Sequence, residues 1–310
     1  MNKKMVSFVI PCYNEEESLC QLHEGIVNNV CMKYEYEIIF VDDGSTDGTR
    51  QVIKRLHDAD GNVRMIGFRK NFGKAAALQA GFRAVKGHMV ITMDADLQDE
   101  PSEIGSFIEK LNAGFDVVSG WKRNRKDPFE KRLPSKLFNR TVSFLSGVKL
   151  HDFNCGFKAY KSEVVKSLNI YGELHRYIPV LADSKGFKIT EICVTHNARK
   201  FGKSKYGMER YLKGFFDSLT VIYLKKFYDK PMHFFGRLGL LCSFAGFIIC
   251  AYLTVTWFMG QTIGERPLLL LGILLILVGL QFFFMGLIGD IIVDRGFNSN
   301  YDESHIEERL

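Results

Sequence analysis

Two long apolar segments near the end of the chain constrain its fold more than any other feature. Residues 238–259 and 268–289 each run for about 22 positions without a charge, enough to cross a bilayer core as a helix. The short connection at residues 260–267 predicts a helical hairpin with both ends on the same side of the membrane. Basic residues before the first span place that side in the cytoplasm. They are Lys225, Lys226, Lys230 and Arg237.

The rest of the chain alternates between apolar runs and amphipathic stretches joined by short polar connections. Buried strands are predicted at residues 5–10, 37–41, 63–68, 88–93, 116–120 and 188–194. Helical patterns lie between most of them. This alternation predicts an α/β domain with a mostly parallel sheet and helices on both faces.

The net charge, the cysteine spacing and the first apolar run indicate which ligands and which compartment suit the protein. The 310 residues carry a net charge of +6, which suits a phosphate-bearing ligand or an anionic membrane surface. Seven cysteines without paired or metal-ligand spacing favour a reducing compartment. The first apolar run is broken by Pro11 and is too short for a signal-peptide core, so we expect the start of the chain in the cytoplasm. We expect no nucleic-acid partner.

Five clusters of polar side chains each directly follow a predicted strand. They are Tyr13/Asn14/Glu15, Asp42/Asp43, Arg69/Lys74, Asp94/Asp96 and Lys122/Arg123. The carboxyl ends of parallel strands lie at one edge of a sheet, where open α/β sheets bind ligands. A surface turn explains any one cluster, but the five together predict a binding crevice.

The most informative cluster follows the fourth predicted strand. Asp94, Asp96 and Asp99 lie within six positions, with Gln98 among them. Such oxygen ligands suit a divalent cation that also holds a diphosphate. The tripeptide Asp-Ala-Asp also occurs at residues 58–60, where a polar pattern predicts a solvated helix end. Spacing alone therefore leaves a capping or turn role open for Asp94 and Asp96.

Two basic segments have two interpretations each. Residues 122–140 begin at the crevice edge and form either a solvated face or a phosphate-binding region. Residues 199–205 form a basic loop, which either closes over donor phosphates or is attracted to anionic lipid.

The helical pattern at residues 208–223 predicts an amphipathic juxtamembrane helix at the membrane interface, with a core-facing helix as the alternative. His151 and His196 lack partners at metal-ligand spacing and are interpreted as structural.

The ordered set of motifs resembles glycosyltransferase family 2. The resemblance rests on Val-Ile-Pro-Cys-Tyr-Asn-Glu at 9–15, Val-Asp-Asp-Gly-Ser at 41–45, Asp-Ala-Asp-Leu-Gln at 94–98 and Gly-Lys-Ser-Lys at 202–205. The branch resembled is the polyisoprenyl-phosphate glycosyltransferases with two C-terminal spans. The resemblance implies a nucleotide-binding A-type glycosyltransferase fold in the bacterial inner membrane. It also implies inverting transfer from a nucleotide sugar, UDP-glucose or a related UDP-sugar, to a polyisoprenyl phosphate such as undecaprenyl phosphate, for cell-surface glycan modification.

The same resemblance implies roles for individual residues. The nucleotide sugar would be bound by Pro11, Tyr13, Asn14, Glu15, Val41, Asp43, Lys74, Asp94, Ala95, Lys122, Arg199 and Lys205. Asp96 and Gln98 would bind Mg²⁺ or Mn²⁺, and Arg132 and Ser135 the acceptor phosphate. The candidate catalytic residues are Asp94, Asp96 and Asp152. Asp152 either orients the acceptor or caps a helix.

The sequence predicts four segments and leaves two alternative functions open. We predict a glycosyltransferase domain at 1–206, interfacial helices at 207–233, the membrane hairpin at 234–293 and a cytoplasmic tail at 294–310, an arrangement compatible with a homo-oligomer. A processive polysaccharide synthase would share the donor-binding half. It would also carry a Gln-x-x-Arg-Trp motif, whereas neither Trp121 nor Trp257 follows an arginine. A non-catalytic membrane partner that only binds a sugar nucleotide would need no metal site.

Overall fold

The computed structural model describes residues 4–123, 139–144, 146–197, 231–260 and 267–299, with side chains up to residue 292. They fall into two compact units, one up to residue 197 and one from residue 231. Four predicted site residues lie outside the described residues, as does the predicted helix at 208–223. The four are Arg132, Ser135, Arg199 and Lys205. Their roles, and the domain boundary at 206, stay predictions.

Within the described residues, seven strands form one sheet in the first unit. They are β1 (Met5–Cys12), β2 (Glu35–Asp42), β3 (Val63–Gly67), β4 (Met89–Thr92), β5 (Val117–Trp121), β6 (Lys158–Lys161) and β7 (Ile189–Cys193). Their order across the sheet is β3-β2-β1-β4-β6-β5-β7. β6 runs antiparallel to its neighbours β4 and β5, and the other described pairings are parallel. The prediction of a mostly parallel α/β sheet is therefore confirmed.

Helices cover both faces of this sheet, because successive side chains of the buried strands point to opposite sides. In β1, Phe8 and Ile10 belong to one apolar core and Val9 to the other. The first core is covered by α1 (Leu19–Val30), α2 (Thr49–Ala59) and α4 (Ile104–Asn112). The second is covered by α3 (Lys74–Ala84), α5 (Ser162–Ser167) and α6 (Ile178–Ser184). The buried face of α1 consists of Leu19, Leu22, Ile26 and Val30, as the helical spacing predicts.

β6 is not among the strands predicted from the sequence, and it positions part of the site. Its four residues begin and end with lysine, which is typical of a surface turn. Yet Lys158 is buried, and Ala159 pairs with both Ile91 of β4 and Val118 of β5. Because β6 runs antiparallel to β4, it begins at the edge where β4 ends. The loop at residues 152–157, which leads into β6, therefore reaches the predicted crevice.

The second unit is a pair of helices, α7 (Pro231–Phe258) and α8 (Pro267–Ser299). Both are long and apolar enough to cross a membrane, with mean hydropathies of 2.2 and 2.8. α7 begins at Pro231, within the segment predicted to be interfacial. The helices approach closely at glycines: a Cβ atom at Gly246 would lie 2.5 Å from the Gly272 carbonyl oxygen. Small residues at such contacts are typical of membrane helix pairs.

Candidate functional site

The acidic loop, residues 94–99, follows β4 at the carboxyl edge of the sheet and is held by its own carboxylates. Asp99 Oδ2 accepts a hydrogen bond from the backbone N–H of Asp94 at 3.3 Å. Asp96 Oδ1 accepts one from the backbone N–H of Gln98 at 3.2 Å. Between them, Leu97 has a φ of 59°, a left-handed conformation that a leucine rarely adopts. Strained backbone of this kind is found most often at functional sites.

Asp94 lies between α3 and the loop that leads into β6. Lys74, the first residue of α3, forms an ion pair with its carboxylate. On the other side is Gly156, where a Cβ atom would lie only 2.5 Å from both carboxylate oxygens. Burial raises the pKa of Asp94, but the ammonium groups of Lys74 and Lys122 outweigh it and hold the pKa well below its ordinary value. Asp94 is therefore a fixed negative charge.

Lys122 lies directly after β5 and contacts the acidic loop. Its Nζ is 2.9 Å from Asp99 Oδ1, and the two side chains are 9% and 0% exposed. Burial lowers the pKa of Lys122, but the Asp99 carboxylate raises it by a larger amount. The net pKa is above its ordinary value, so the ammonium stays charged. The side chain predicted to bind donor phosphates is thus engaged with Asp99 in this structure.

The cluster at the end of β2 forms the framework of the crevice. Asp43 accepts hydrogen bonds from the backbone N–H groups of Phe72 at 2.7 Å and Gly73 at 2.9 Å. These bonds fix the loop that delivers Lys74. Burial raises the pKa of Asp43 above its ordinary value despite both bonds. Asp43 therefore has a positioning role, whatever contact it makes with a ligand.

The loop after β1 is tied to the loop after β2. The backbone N–H of Asn14 donates to Ser45 Oγ at 2.9 Å, and Asn14 Oδ1 accepts from the backbone N–H of Thr46 at 2.8 Å. Asn14 has a φ of 54°, which asparagine tolerates better than most residues. Pro11 and Tyr13 are half-buried at the same edge. They lie where the sequence predicts contacts with the nucleotide.

Three further predicted donor contacts can be placed in the structure. The side chains of Val41 and Ala95 are 0% and 4% exposed and pack in the apolar cores, so only their backbones are left to meet a ligand. Glu15 is half-buried, and its backbone N–H donates to Thr49 Oγ1 at 2.8 Å.

The second Asp-Ala-Asp tripeptide, at residues 58–60, lies at the end of α2, as predicted for a helix end.

Asp96 and Gln98 fit the predicted metal site in part. The side-chain amide of Gln98 donates from Nε2 to the Asn197 carbonyl at 3.3 Å, which leaves the amide oxygen as the ligand atom. In the described part of the chain, no group of three or more His, Cys, Asp or Glu side chains could hold a metal. Mg²⁺ in proteins usually keeps several waters and is bound through one or two carboxylates plus substrate phosphates. Asp96 and Gln98 therefore suit a divalent cation that binds together with a diphosphate-bearing substrate.

The loop at residues 152–157 holds Asp152 at the crevice. Asp152 is 2% exposed, and its Oδ1 accepts a hydrogen bond from the backbone N–H of Asn154 at 3.0 Å, an Asx turn. Lys158 secures the loop by donating from Nζ to the carbonyls of Phe153, at 3.2 Å, and Cys155. The local role of Asp152 is thus a turn, and orientation of the acceptor stays a prediction.

Two contacts of the acidic loop were not predicted, because the residues that make them follow other strands. His196 Nε2 lies 3.4 Å from Gln98 Nε2, and the backbones of His196 and Asp99 form a bridge. By contrast, His151 pairs with Glu191 and stacks on Trp121, as expected of a structural residue. The ion pair of Lys122 and Asp99 was also missed. The sequence signals this pair only in that residues of opposite charge follow two of the predicted strands.

Comparisons with known proteins identify the family of the chain. The family model described as "Glycosyl transferase family 2" matches residues 7–168. Dodecaprenyl-phosphate galacturonate synthase of Rhizobium johnstonii is 35% identical, over 98% of this chain and 92% of the relative. Undecaprenyl-phosphate 4-deoxy-4-formamido-L-arabinose transferase of Pseudomonas fluorescens is 37% identical, over 93% of this chain and 84% of the relative.

Solved structures share the fold. Glucosyl-3-phosphoglycerate synthase of Mycobacterium tuberculosis, in complex with Mn²⁺, uridine diphosphate and phosphoglyceric acid, is similar with a TM-score of 0.54 at 20% identity. The match covers 72% of this chain and 78% of that chain. The chain therefore belongs to glycosyltransferase family 2 and is an enzyme whose relatives of similar length are polyprenyl-phosphate sugar transferases.

Proposed function

We propose that this enzyme transfers one sugar from a UDP-sugar to a polyisoprenyl phosphate such as undecaprenyl phosphate. The product would be a lipid-linked monosaccharide for modification of a cell-envelope glycan. The observation that carries the proposal is the acidic loop at the crevice, where Asp94 and Lys74 pair beside Asp96 and Gln98. The named relatives act on dodecaprenyl and undecaprenyl phosphate, which supports the acceptor. They differ in the sugar, so glucose or a related hexose stays a proposal.

Asp96 and Gln98 are the proposed ligands of Mg²⁺ or Mn²⁺. When bound, the ion neutralises the negative charge that develops on the departing diphosphate. A structurally similar glycosyltransferase binds Mn²⁺ together with uridine diphosphate, which supports this choice of ion. In the same proposal Lys74 balances Asp94, while Arg199 and Lys205 bind the donor phosphates.

The chemistry needs orientation more than a strong base. An oxygen of the acceptor phosphate attacks the anomeric carbon, the bond from that carbon to the diphosphate breaks, and the configuration inverts. A phosphate monoester loses its second proton at a pKa of about 6, so the nucleophile is already anionic at neutral pH. Arg132 and Ser135 would hold that phosphate. The buried Asp152, fixed in its turn, would orient it.

The membrane arrangement follows from the two apolar helices. We infer that α7 and α8 cross the bacterial inner membrane, with the catalytic domain and both termini in the cytoplasm. The short connection between the helices and the basic residues before α7 support this orientation.

The proposal is tested with the full chain in detergent, supplied with undecaprenyl phosphate, Mg²⁺ and a panel of UDP-sugars. Mass spectrometry of the lipid fraction should show a polyprenyl phosphate that carries one sugar. Longer products would indicate a processive synthase instead. If no donor is consumed with metal and acceptor present, the alternative of a non-catalytic binder would replace the proposal.

A further inference from the structure

A small cavity is lined by Lys74 and Gly156, two residues that contact the Asp94 carboxylate. It is partly open to solvent, and its free space is close to the size of one water molecule. Its polar lining includes three cationic side chains, Lys74, Lys158 and Arg176, together with Thr92, Asn154 and His175. None of them except Lys74 was singled out by the sequence.

His175 lines this cavity and carries a buried ring nitrogen without a hydrogen-bond partner among the described residues. It belongs to the short 3-10 helix Leu174–Tyr177, and the buried nitrogen is Nδ1. Burial, together with nearby Lys74, lowers the pKa of His175 well below its ordinary value, so the imidazole is neutral at pH 7. A neutral imidazole nitrogen either donates or accepts one hydrogen bond. Buried polar atoms in proteins are nearly always paired, so Nδ1 requires a partner.

Lys158 adds a donor to the same cavity. Its ammonium has three N–H groups, and the described contacts are to the carbonyls of Phe153 and Cys155. In the part of the chain that the structure describes, no carboxylate forms an ion pair with it. Asp152 and Asp94 act on its charge from a greater distance. The cavity thus combines a neutral hydrogen-bonding nitrogen with a buried ammonium.

The position of the cavity connects it to the transferred sugar. Gly156, one of its walls, packs directly against the Asp94 carboxylate, and Lys74 pairs with that carboxylate. In the proposed function the donor sugar is bound at Asp94. A sugar at that position is therefore next to the wall of the cavity that His175 also lines.

We propose that His175 hydrogen-bonds to one hydroxyl group of the transferred sugar and makes the enzyme select sugars that carry it. This inference rests on the proposed function. A hydroxyl matches a neutral imidazole and a water-sized space.

The test is a cycle that changes the enzyme and the donor together. The full chain in detergent is assayed with undecaprenyl phosphate and UDP-glucose, or the UDP-hexose turned over best, and with its 2-, 3-, 4- and 6-deoxy analogues. In the wild type, one analogue should lose roughly 10- to 100-fold in kcat/KM, the range for a hydrogen bond to a buried group. His175→Phe should lose a similar factor with the parent sugar and nothing further with that analogue. His175→Gln, which can restore the bond, should recover part of the selectivity.

His151→Phe is the matched control, since His151 pairs with Glu191 and is no part of the cavity. It should leave the ratios among the donors unchanged. An equal loss with all five donors in His175→Phe and His175→Gln would mean that the cavity is structural or holds only water, and would overturn the inference. So would a change confined to the KM for undecaprenyl phosphate. A wild type that transfers no sugar refutes the proposed function instead, which separates the two failures.

Discussion

Lys122 Nζ lies 2.9 Å from Asp99 Oδ1, and this buried ion pair joins the end of β5 to the acidic loop. The other oxygen of Asp99 accepts the backbone N–H of Asp94. The Lys122 ammonium, which follows β5, thereby fixes the acidic loop, which follows β4. This arrangement gives Lys122 a positioning role that needs no contact with a substrate.

Removing Lys122 should therefore destabilise the protein. Lys122→Met leaves the carboxylate of Asp99 buried without its cation, which costs about 3–5 kcal/mol. The measurement is denaturant unfolding of the full chain in detergent. The double variant Lys122→Met/Asp99→Asn should recover most of the loss. In the control Lys161→Met, the broken pair with Asp116 involves a 37% exposed lysine, so the loss should be about 1 kcal/mol or less. Wild-type stability of Lys122→Met would contradict this role.

Gly156→Ala should impair catalysis through Asp94. The new methyl group would lie 2.5 Å from both carboxylate oxygens, so Asp94 must move. Displacement of a site residue by about 1 Å typically costs on the order of 100-fold in rate. Gly105→Ala is the control, because no atom lies within 4 Å of its added Cβ. Steady-state kinetics of both variants decide the point, and equal activity would show that the packing at Gly156 is unimportant.

The ion pair of Lys74 and Asp94 should give stability a specific dependence on pH. The pKa of Asp94 is depressed in the folded protein, whereas an unfolded aspartate titrates at about 4. Its contribution is therefore present above pH 4 and is lost as the pH falls below it. The stability difference between wild type and Lys74→Met should be largest above about pH 5 and shrink toward pH 2.

Unfolding of both proteins across that pH range measures the difference. Lys70→Met is the control, since Lys70 contacts only the Phe72 ring among the described interactions and should show no such trend. A difference for Lys74→Met that stays constant down to pH 2 would contradict the assignment.

Much of the fold could be predicted because the parallel strands are buried on both faces and leave continuous apolar runs. The convergence of the polar clusters followed from the same rule, as their ends must share an edge. β6 could not be predicted, since Lys158 is a buried lysine held by carbonyl groups of its own loop, and no local pattern signals this. His175 was not singled out, and the contact of His196 with Gln98 was not predicted, for a related reason. Their neighbours come from β4, α3 and the acidic loop, about a hundred residues earlier in the chain.

The membrane orientation can be tested with the cysteines of the chain. Cys20 and Cys31 are exposed in the first unit, and Met259 directly follows the last residue of α7. In intact cells, a Met259→Cys protein should react with an impermeant maleimide at position 259. Cys20 and Cys31 should react only after the membrane is opened. Labelling of all three positions in intact cells would remove the two-span arrangement.

The most direct test of the central claim compares Asp96→Ala with Asp58→Ala. The two residues occupy Asp-Ala-Asp tripeptides, one in the acidic loop and one at the end of α2. Transfer from the UDP-sugar to undecaprenyl phosphate is measured as Mg²⁺ is titrated, with circular dichroism confirming that each variant is folded. We predict a loss of at least about 100-fold in kcat for Asp96→Ala, and wild-type kinetics for Asp58→Ala. Wild-type, Mg²⁺-dependent transfer by Asp96→Ala would contradict the account.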